Sequence, residues 1–463
     1  MFANVSSAWY NLLMKIMSTY KVKIKHYNNI FKDTVSIYRN AVKYLIEVCL
    51  SDWNTIKEIP NTKLQLSYIE KLIHKTKDNP VPVYDFDNVF YKMPTYIRRA
   101  AINEAIGKAS SYVSNLTNWN SSDPRTRGDK PSLPKAGCCY PAMYRGNMFV
   151  RIDDYSAQIK VYRNNTWDWI TVQFKKGDVD YILHHCVDQK ECVPTLQKRG
   201  KQWFLDFVFE QNIKLNNTPI NKQKILAADL GINSSCTCSV MTSDGTILGR
   251  KFLHLPKEYD SLSHKIGHIK RAQRHGSYKV TKLWKYAKGV NDAIAVKTAA
   301  FIMEQALLYD VDCIVFEYLE LDKKKRGSHK QRLALWKARY VQLMVEHKAH
   351  AKGIRISHIN AWGTSYLAYD GSGRVLRGRD SEHCKSYSVC EFQNGKIYNC
   401  DLNASYNIGS RYFVREILKS LPVTERQRIE AKVPGCAKRS TCTLATLISL
   451  NGELVPAGIS FAA

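Results

Sequence analysis

The sequence predicts an α/β fold for the second half of the chain, preceded by strands that flank a helical insert. Three observations predict it. Apolar runs of strand length stand at 225–229 and 313–316, helical apolar spacing appears between and after them, and the period changes from helical to alternating across residues 121–136.

Residues 20–26, Tyr-Lys-Val-Lys-Ile-Lys-His, alternate basic and apolar side chains as a half-exposed strand does. Phe31, Val35, Tyr38, Val42, Leu45, Ile46 and Cys49 then recur at three- and four-residue spacing. Met93, Ile97, Ala101, Ala105, Ala109, Tyr112 and Leu116 do so again, and both stripes read as helix-packing core. A linker rich in Ser, Asp, Pro and Gly at 121–136 ends this region. Segments 149–152, 158–162, 169–174 and 202–210 read as strands of an antiparallel barrel or sheet, so one barrel interrupted by a helical lobe explains the order.

A different domain begins at residue 222. Segments 225–229, 234–241 and 246–252 form a three-strand meander with Ser243, Asp244 and Gly245 at a turn. A basic helical stretch follows at 265–274, then a helix at 291–308 with Ala293, Val296, Ala300, Met303 and Leu307 on one face. A strand at 313–316, a helix at 331–352 and a strand at 354–359 complete the pattern; Trp336 and Tyr340 read as core. Three adjacent strands followed by alternating helices and strands is the order of a ribonuclease-H-like fold. After about residue 421 no motif is readable, and 443–450 looks like a strand.

With 463 residues the chain can bury more than one core, and 44% hydrophobic with 24% charged residues excludes a disordered class. The 13 cysteines are odd in number and lack framework spacing, which fits reduced thiols in the cytoplasm. No apolar span of membrane length is present, so no membrane partner is expected. Lys and Arg number 69 against 41 Asp and Glu, a net charge of +28, and a polyanion is the simplest partner for such an excess.

Within this basic chain three acids close or open predicted elements: Asp229 in Ala-Ala-Asp-Leu-Gly-Ile-Asn, Glu317 in Val-Phe-Glu-Tyr-Leu-Glu, and Asp401 in Cys-Asp-Leu-Asn-Ala-Ser-Tyr-Asn-Ile. Each alone reads as a strand-end or helix-start carboxylate. Together they can converge on divalent metal. Magnesium takes oxygen ligands, and two ions about 4 Å apart stabilise the attacking and leaving oxygens of a phosphodiester displacement.

These three motifs resemble the parts of the RuvC nuclease site in the transposon-encoded TnpB proteins and in the miniature type V CRISPR effectors. Between the motifs, Trp336, Glu346-His347-Lys348-Ala349, Gly353 and Thr364-Ser365 match the family as well. The resemblance covers 222–412 by motif, and the N-terminal half only by its strand, helix, strand order. It implies an N-terminal extension and first wedge strand at 1–27, a helical recognition lobe at 28–120, wedge β-barrel strands at 121–221, the RuvC-like domain at 222–412 and a C-terminal extension at 413–463. It further implies RNA-guided cleavage of DNA, with a guide RNA and a target DNA as partners, two magnesium ions held by Asp229, Glu317 and Asp401, and a monomer or an asymmetric homodimer on one guide. A nuclease-silent RNA-guided regulator and a guide-independent transposase are the rival readings.

The family's zinc ribbon, which would lie at 364–400, is degenerate here. Leu-Ala-Tyr-Asp-Gly-Ser-Gly at 367–373 replaces its first Cys-x-x-Cys pair, and Cys384, Cys390 and Cys400 with His383 are irregularly spaced, so zinc is not expected. The turns at 370–373 and 394–395 can keep a hairpin without metal. Lys270, Arg271 and Arg274, the run Lys323, Lys324, Lys325 and Arg326, and Arg374 flank the acids or the ribbon and are the candidate nucleic-acid contacts, with Arg377 and Arg379 beside them.

Overall fold

The structure, a computed structural model, describes residues 13–26, 29–231, 234–319, 336–384, 386–438 and 440–454. The chain divides into two compact units, one of Met17–Gln211 and one built chiefly on the residues from Asn212 onward.

In the first unit, strand β1 (Leu13–Lys23) leads into helices α1 (Phe31–Ser51), α2 (Trp53–Ile56), α3 (Thr62–Ile73), α4 (Phe86–Val89) and α5 (Thr95–Ser121). Strands β2 (Phe149–Arg151), β3 (Ser156–Arg163) and β4 (Thr166–Gln173) then form an antiparallel sheet. Asn164 and Asn165 sit at φ 51° and 57° between β3 and β4, as a tight two-residue hairpin turn requires of both central residues. Helix α6 (Lys176–His185) precedes β5 (Lys190–Glu191), β6 (Thr195–Arg199) and β7 (Gln202–Lys214). β5 and β6 pair successive stretches of β7, and β1 is β7's other neighbour. An antiparallel bridge between Ile24 and Phe174 stitches the two sheets together. Their shared core is aromatic: Phe31 meets Trp203 edge-on at 5.3 Å, and Phe207 meets Phe149 at 5.8 Å and Phe174 at 6.0 Å.

The second unit centres on a five-stranded sheet. It contains β8 (Lys224–Asp229), β9 (Cys236–Thr242) and β10 (Ile247–Leu253), followed by helices α7 (Pro256–Arg274) and α8 (Thr281–Leu308). Then come β11 (Cys313–Tyr318), helix α9 (Ala338–His350), β12 (Arg355–Asn360), the hairpin β13 (Val389–Glu391) and β14 (Ile397–Asn399), and helices α10 (Cys400–Ser420), α11 (Val423–Lys432) and α12 (Leu444–Leu454). The strand order is β10-β9-β8-β11-β12, with the first three antiparallel and β8, β11 and β12 parallel.

Both faces of this sheet are covered, which is why its central strands read as unbroken apolar runs. Ile225, Ala227, Cys313 and Val315 face a layer containing Leu402, Tyr406 and Phe413 of α10 and Leu444 and Leu447 of α12. Leu226, Ala228, Ile314 and Phe316 face Ala299 and Ile302 of α8 and Val341 and Val345 of α9. Gly353, at φ +76°, ends the turn after α9, and a side chain there would meet the Lys214 carbonyl oxygen at 3.1 Å.

Three sequence expectations need correction. Residues 444–454 are helix α12, not a strand: Leu444, Leu447, Leu450 and Leu454 are buried at helical spacing. The Thr443 and Thr446 hydroxyls also accept from each other's main-chain N–H at its start. On α8 the buried face is Ile294, Ala295, Thr298, Ala299, Ile302 and Met303, whereas Val296 and Leu307 are exposed, because apolar residues surround most of that helix and spacing alone does not choose a face. Tyr340 lies off the α9 stripe of Ala338, Val341, Val345 and Ala349 and is exposed, while Trp336 does pack on the core.

α10 meets the sheet at Gly409, where an added Cβ would collide with Met241 Sδ and fall 3.3 Å from Ala227 Cβ. Gly409→Val therefore lowers stability by about 1–3 kcal/mol, read as a lower urea midpoint. Gly107→Ala on α5, where the new methyl meets open space, stabilises instead by about 0.5–1 kcal/mol.

Candidate active site

Asp229 is the last residue of β8, and Glu317 is the penultimate residue of β11. The parallel register pairs Ala228 with Phe316, so Asp229 and Glu317 are next in line side by side. Both continue the odd-numbered face that α10 covers, since alternate strand residues share a face. Asp401 occupies the first turn of α10, whose N-cap is Asn399: its side chain accepts from Leu402 N at 2.9 Å. Separate elements thus aim three carboxyls at one end of one sheet face, and all three remain half-buried rather than sealed.

The electrostatics reflect this crowding. Burial raises Asp229 well above the ordinary carboxylate range, and the charges of Glu317, Asp401 and Cys400 add to the rise. Burial also raises Glu317, opposed by the Thr364 hydroxyl and the Arg411 charge. Asp401 is raised by burial against the pull of Arg377 and His254. Beside Asp229 in the ladder stands Thr237, whose buried hydroxyl has no partner. An all-oxygen donor set whose mutual repulsion a cation would relieve, next to an unpartnered hydroxyl, suits a hard divalent ion by its chemistry. Among the described residues, however, no group of three or more His, Cys, Asp and Glu side chains is arranged to hold a metal ion.

Instead the carboxyls are engaged by neighbours. Thr364 Oγ1 donates to Glu317 Oε1, and Gln342 Nε2 donates to the Glu317 carbonyl at 2.9 Å. The Arg377 guanidinium acts on Asp229, Asp401 and Cys400 together. Arg377 stood in the sequence only as one of several basic residues near the ribbon; Thr364 stood there only as a motif residue. Gln342 and Arg411 carried no signal beyond their place on apolar helices.

The ribbon region holds together by other means. Asp370 accepts from Ser372 N at 3.0 Å, Ser372 Oγ at 2.7 Å and Asn394 Nδ2 at 3.0 Å, with Gly371 at φ +80° in the turn. Phe392 packs edge-on against Tyr369 at 5.5 Å. The Cys390 thiol donates to the Tyr398 carbonyl at 3.5 Å and lies beside Cys400, and its influence together with the Arg377 guanidinium lowers the Cys400 thiol to about 7. His383 turns instead to Glu391, 3.1 Å away.

Of the basic candidates, Arg271 and Arg274 are exposed at the end of α7, and Lys270 is half-buried. Arg374 pairs with Asp380 at 2.7 Å and lies 4.9 Å over the Tyr366 ring. Lys323, Lys324, Lys325 and Arg326 lie outside the described residues. No helix among the described residues is long and apolar enough to cross a membrane.

Residues 18–163 match the Aq_aa04 family. The uncharacterized protein aq_aa04 of Aquifex aeolicus (strain VF5) is 32% identical over 130 residues, which are 27% of this chain and 72% of that protein. The matched segment lies before the first of the three acids. Among solved structures, the chain is similar to the protein in the Cas12f1–sgRNA–target DNA complex, with TM-score 0.50 and 15% identity over 81% of each chain. It is also similar to that in the AacC2c1–sgRNA binary complex, with TM-score 0.39 and 10% identity over 83% of this chain and 68% of that one. The first likeness is one of fold: the chain shares an α/β fold with the protein of that complex.

An acid raised by burial keeps its proton to higher pH in the folded state than in the unfolded one. Its stabilising effect is complete below the ordinary carboxylate pKa of about 4 and is lost as pH rises through the raised value. Asp229→Asn accordingly raises the thermal midpoint of the metal-free protein at about pH 8, and the difference from wild type shrinks as pH falls toward 4. Thermal melts in chelator across that range measure it.

Proposed function

We propose that this chain, which belongs to the Aq_aa04 family, is an RNA-guided DNA endonuclease that cuts a guide-matched target through Asp229, Glu317 and Asp401. The observation that carries this reading is the side-by-side placement of Asp229 and Glu317 on the sheet face covered by the helix that starts with Asp401. The strand order β10-β9-β8-β11-β12, antiparallel then parallel, supports a ribonuclease-H-like, RuvC-type nuclease, as the TnpB resemblance implies. The fold shared with the Cas12f1 chain, whose complex contains guide RNA and target DNA, supports the same two partners here. The two stitched sheets of the first unit are assigned to the wedge, and its helices to the recognition lobe.

In this reading, pairing between guide and target selects the sequence, and the protein's net charge of +28 holds the phosphates. Arg271, Arg274 and Lys270 at the end of α7 are contacts for that backbone, as are Arg374 and the run at 323–326. Asp229, Glu317 and Asp401 would hold two magnesium ions, which supply an activated water and stabilise the leaving oxygen. The chain's own residues do the rest. Thr364 orients the Glu317 carboxyl, Gln342 fixes its main chain, and Arg377 offsets the negative charge of the cluster while no cation is bound.

A nuclease-silent RNA-guided regulator is the second reading, and the observation favouring it is that the described residues form no ready metal cage. Substituting the acids separates the two. Asp229→Ala, Glu317→Ala and Asp401→Ala each abolish cutting, a loss of several orders of magnitude, while guide-dependent binding of target DNA persists. A plasmid-cleavage assay alongside a gel-shift assay on the RNA-loaded protein reads both. Wild type that binds target but never cuts selects the regulator.

A further inference from the structure

Helix α10 carries a polar stripe that the cleavage reading leaves unused. Asn403, Asn407 and Arg411 are spaced four residues apart, lie on one face of the helix and are all buried. Their side chains grip the chain that follows β12. Arg411 Nη1 donates to the carbonyls of Asn360 at 2.8 Å and Trp362 at 2.7 Å. Asn407 Nδ2 donates to those of Thr364 at 2.9 Å and Leu367 at 2.8 Å. Asn403 Nδ2 donates to the Leu367 carbonyl at 2.9 Å, and its Oδ1 accepts from Tyr369 N at 2.8 Å. The segment 360–369 is therefore fixed to the helix that begins with Asp401.

In the middle of that segment Thr364 is 3% exposed, and its hydroxyl reaches Glu317. The single hydroxyl proton has two acceptors within reach, Glu317 Oε1 and the Ala361 carbonyl at 3.1 Å. The Ala361 carbonyl thus helps hold the hydroxyl in the orientation that meets Glu317, and the buried donor is paired.

We propose that Thr364 is a positioning residue for the nuclease centre: its hydroxyl, anchored through Asn407 and Arg411 to the helix that bears Asp401, sets the Glu317 carboxyl at a fixed place relative to Asp401. This rests on the reading of the three acids as a cation-binding cleavage site. The stripe converts three separate elements into one frame, so Glu317 and Asp401 move together although they stand 84 positions apart in sequence.

Two variants isolate the hydroxyl from the shape of the side chain. Thr364→Val keeps the branched shape and removes the donor; Thr364→Ser keeps the donor and removes the methyl. Each is loaded with guide RNA and assayed for single-turnover cleavage, and each is titrated separately with Mn²⁺ by calorimetry. Thr364→Val should lose about 10- to 100-fold in cleavage rate and in Mn²⁺ affinity, with target binding unchanged and thermal midpoint near wild type. Thr364→Ser should stay within about 3-fold of wild type in both, well short of that loss. Equal loss in the two variants, or a Thr364→Val protein that matches wild type, overturns the proposal. Wild type that binds Mn²⁺ but cuts nothing removes the endonuclease reading while the Mn²⁺ comparison still decides the role of Thr364. Wild type that binds no Mn²⁺ overturns the role as well.

Discussion

A helix buried on nearly every side has no water for its polar residues, so each must find a partner inside the protein. Helix α10 lives under that constraint, with residues 402–414 buried without a break. Its apolar side chains close one face of the five-stranded sheet, and its polar ones bind the main chain of segments that would otherwise be loops. Arg411 alone donates to four carbonyls, one on the last residue of β12, one just after it and two, Ser440 and Cys442, just ahead of α12. The acids at the strand ends gain a fixed surrounding from this, because the helix that presents Asp401 also ties down the neighbours of Glu317.

The charge arrangement is the counterpart of that rigidity. Three carboxyls at one sheet end repel one another, and burial makes their ionised forms more costly still. Arg377 and the Thr364 hydroxyl relieve part of the strain, and a divalent cation would relieve more. In a protein with 69 basic residues, so dense a buried acidic patch is costly, and the cation proposed above would offset that cost.

How much of this could be read from the residues alone depended on how local the cause was. The runs at 225–228 and 313–316 were legible because a strand covered on both faces must be apolar throughout. The positions of the three acids could be read because Asp229 and Glu317 lie at the ends of such strands and Asp401 opens a helix. The buried face of α8 was not, since small and large apolar residues surround it and the partner helices chose between them. At 443–450, the Thr, Ile and Leu content suggested a strand, yet packing of the leucines on α10 made a helix, and the Thr-x-x-Thr start was the overlooked sign. The contact of Thr364 with Glu317 joins residues 47 apart, so no local pattern encodes it. The family match at 18–163 lies ahead of all three acids, so their placement is read from strand register and helix packing.

The leucines of α12 fill the same layer as α10 and the sheet, and the carbonyls just before them are held by Arg411. A miniaturised version cut back to the last recognisable motif would therefore strip a wall from the hydrophobic interior and leave a buried guanidinium short of two acceptors. Length that can be removed is to be sought in surface segments such as the largely exposed 121–135 stretch, not behind the final acid.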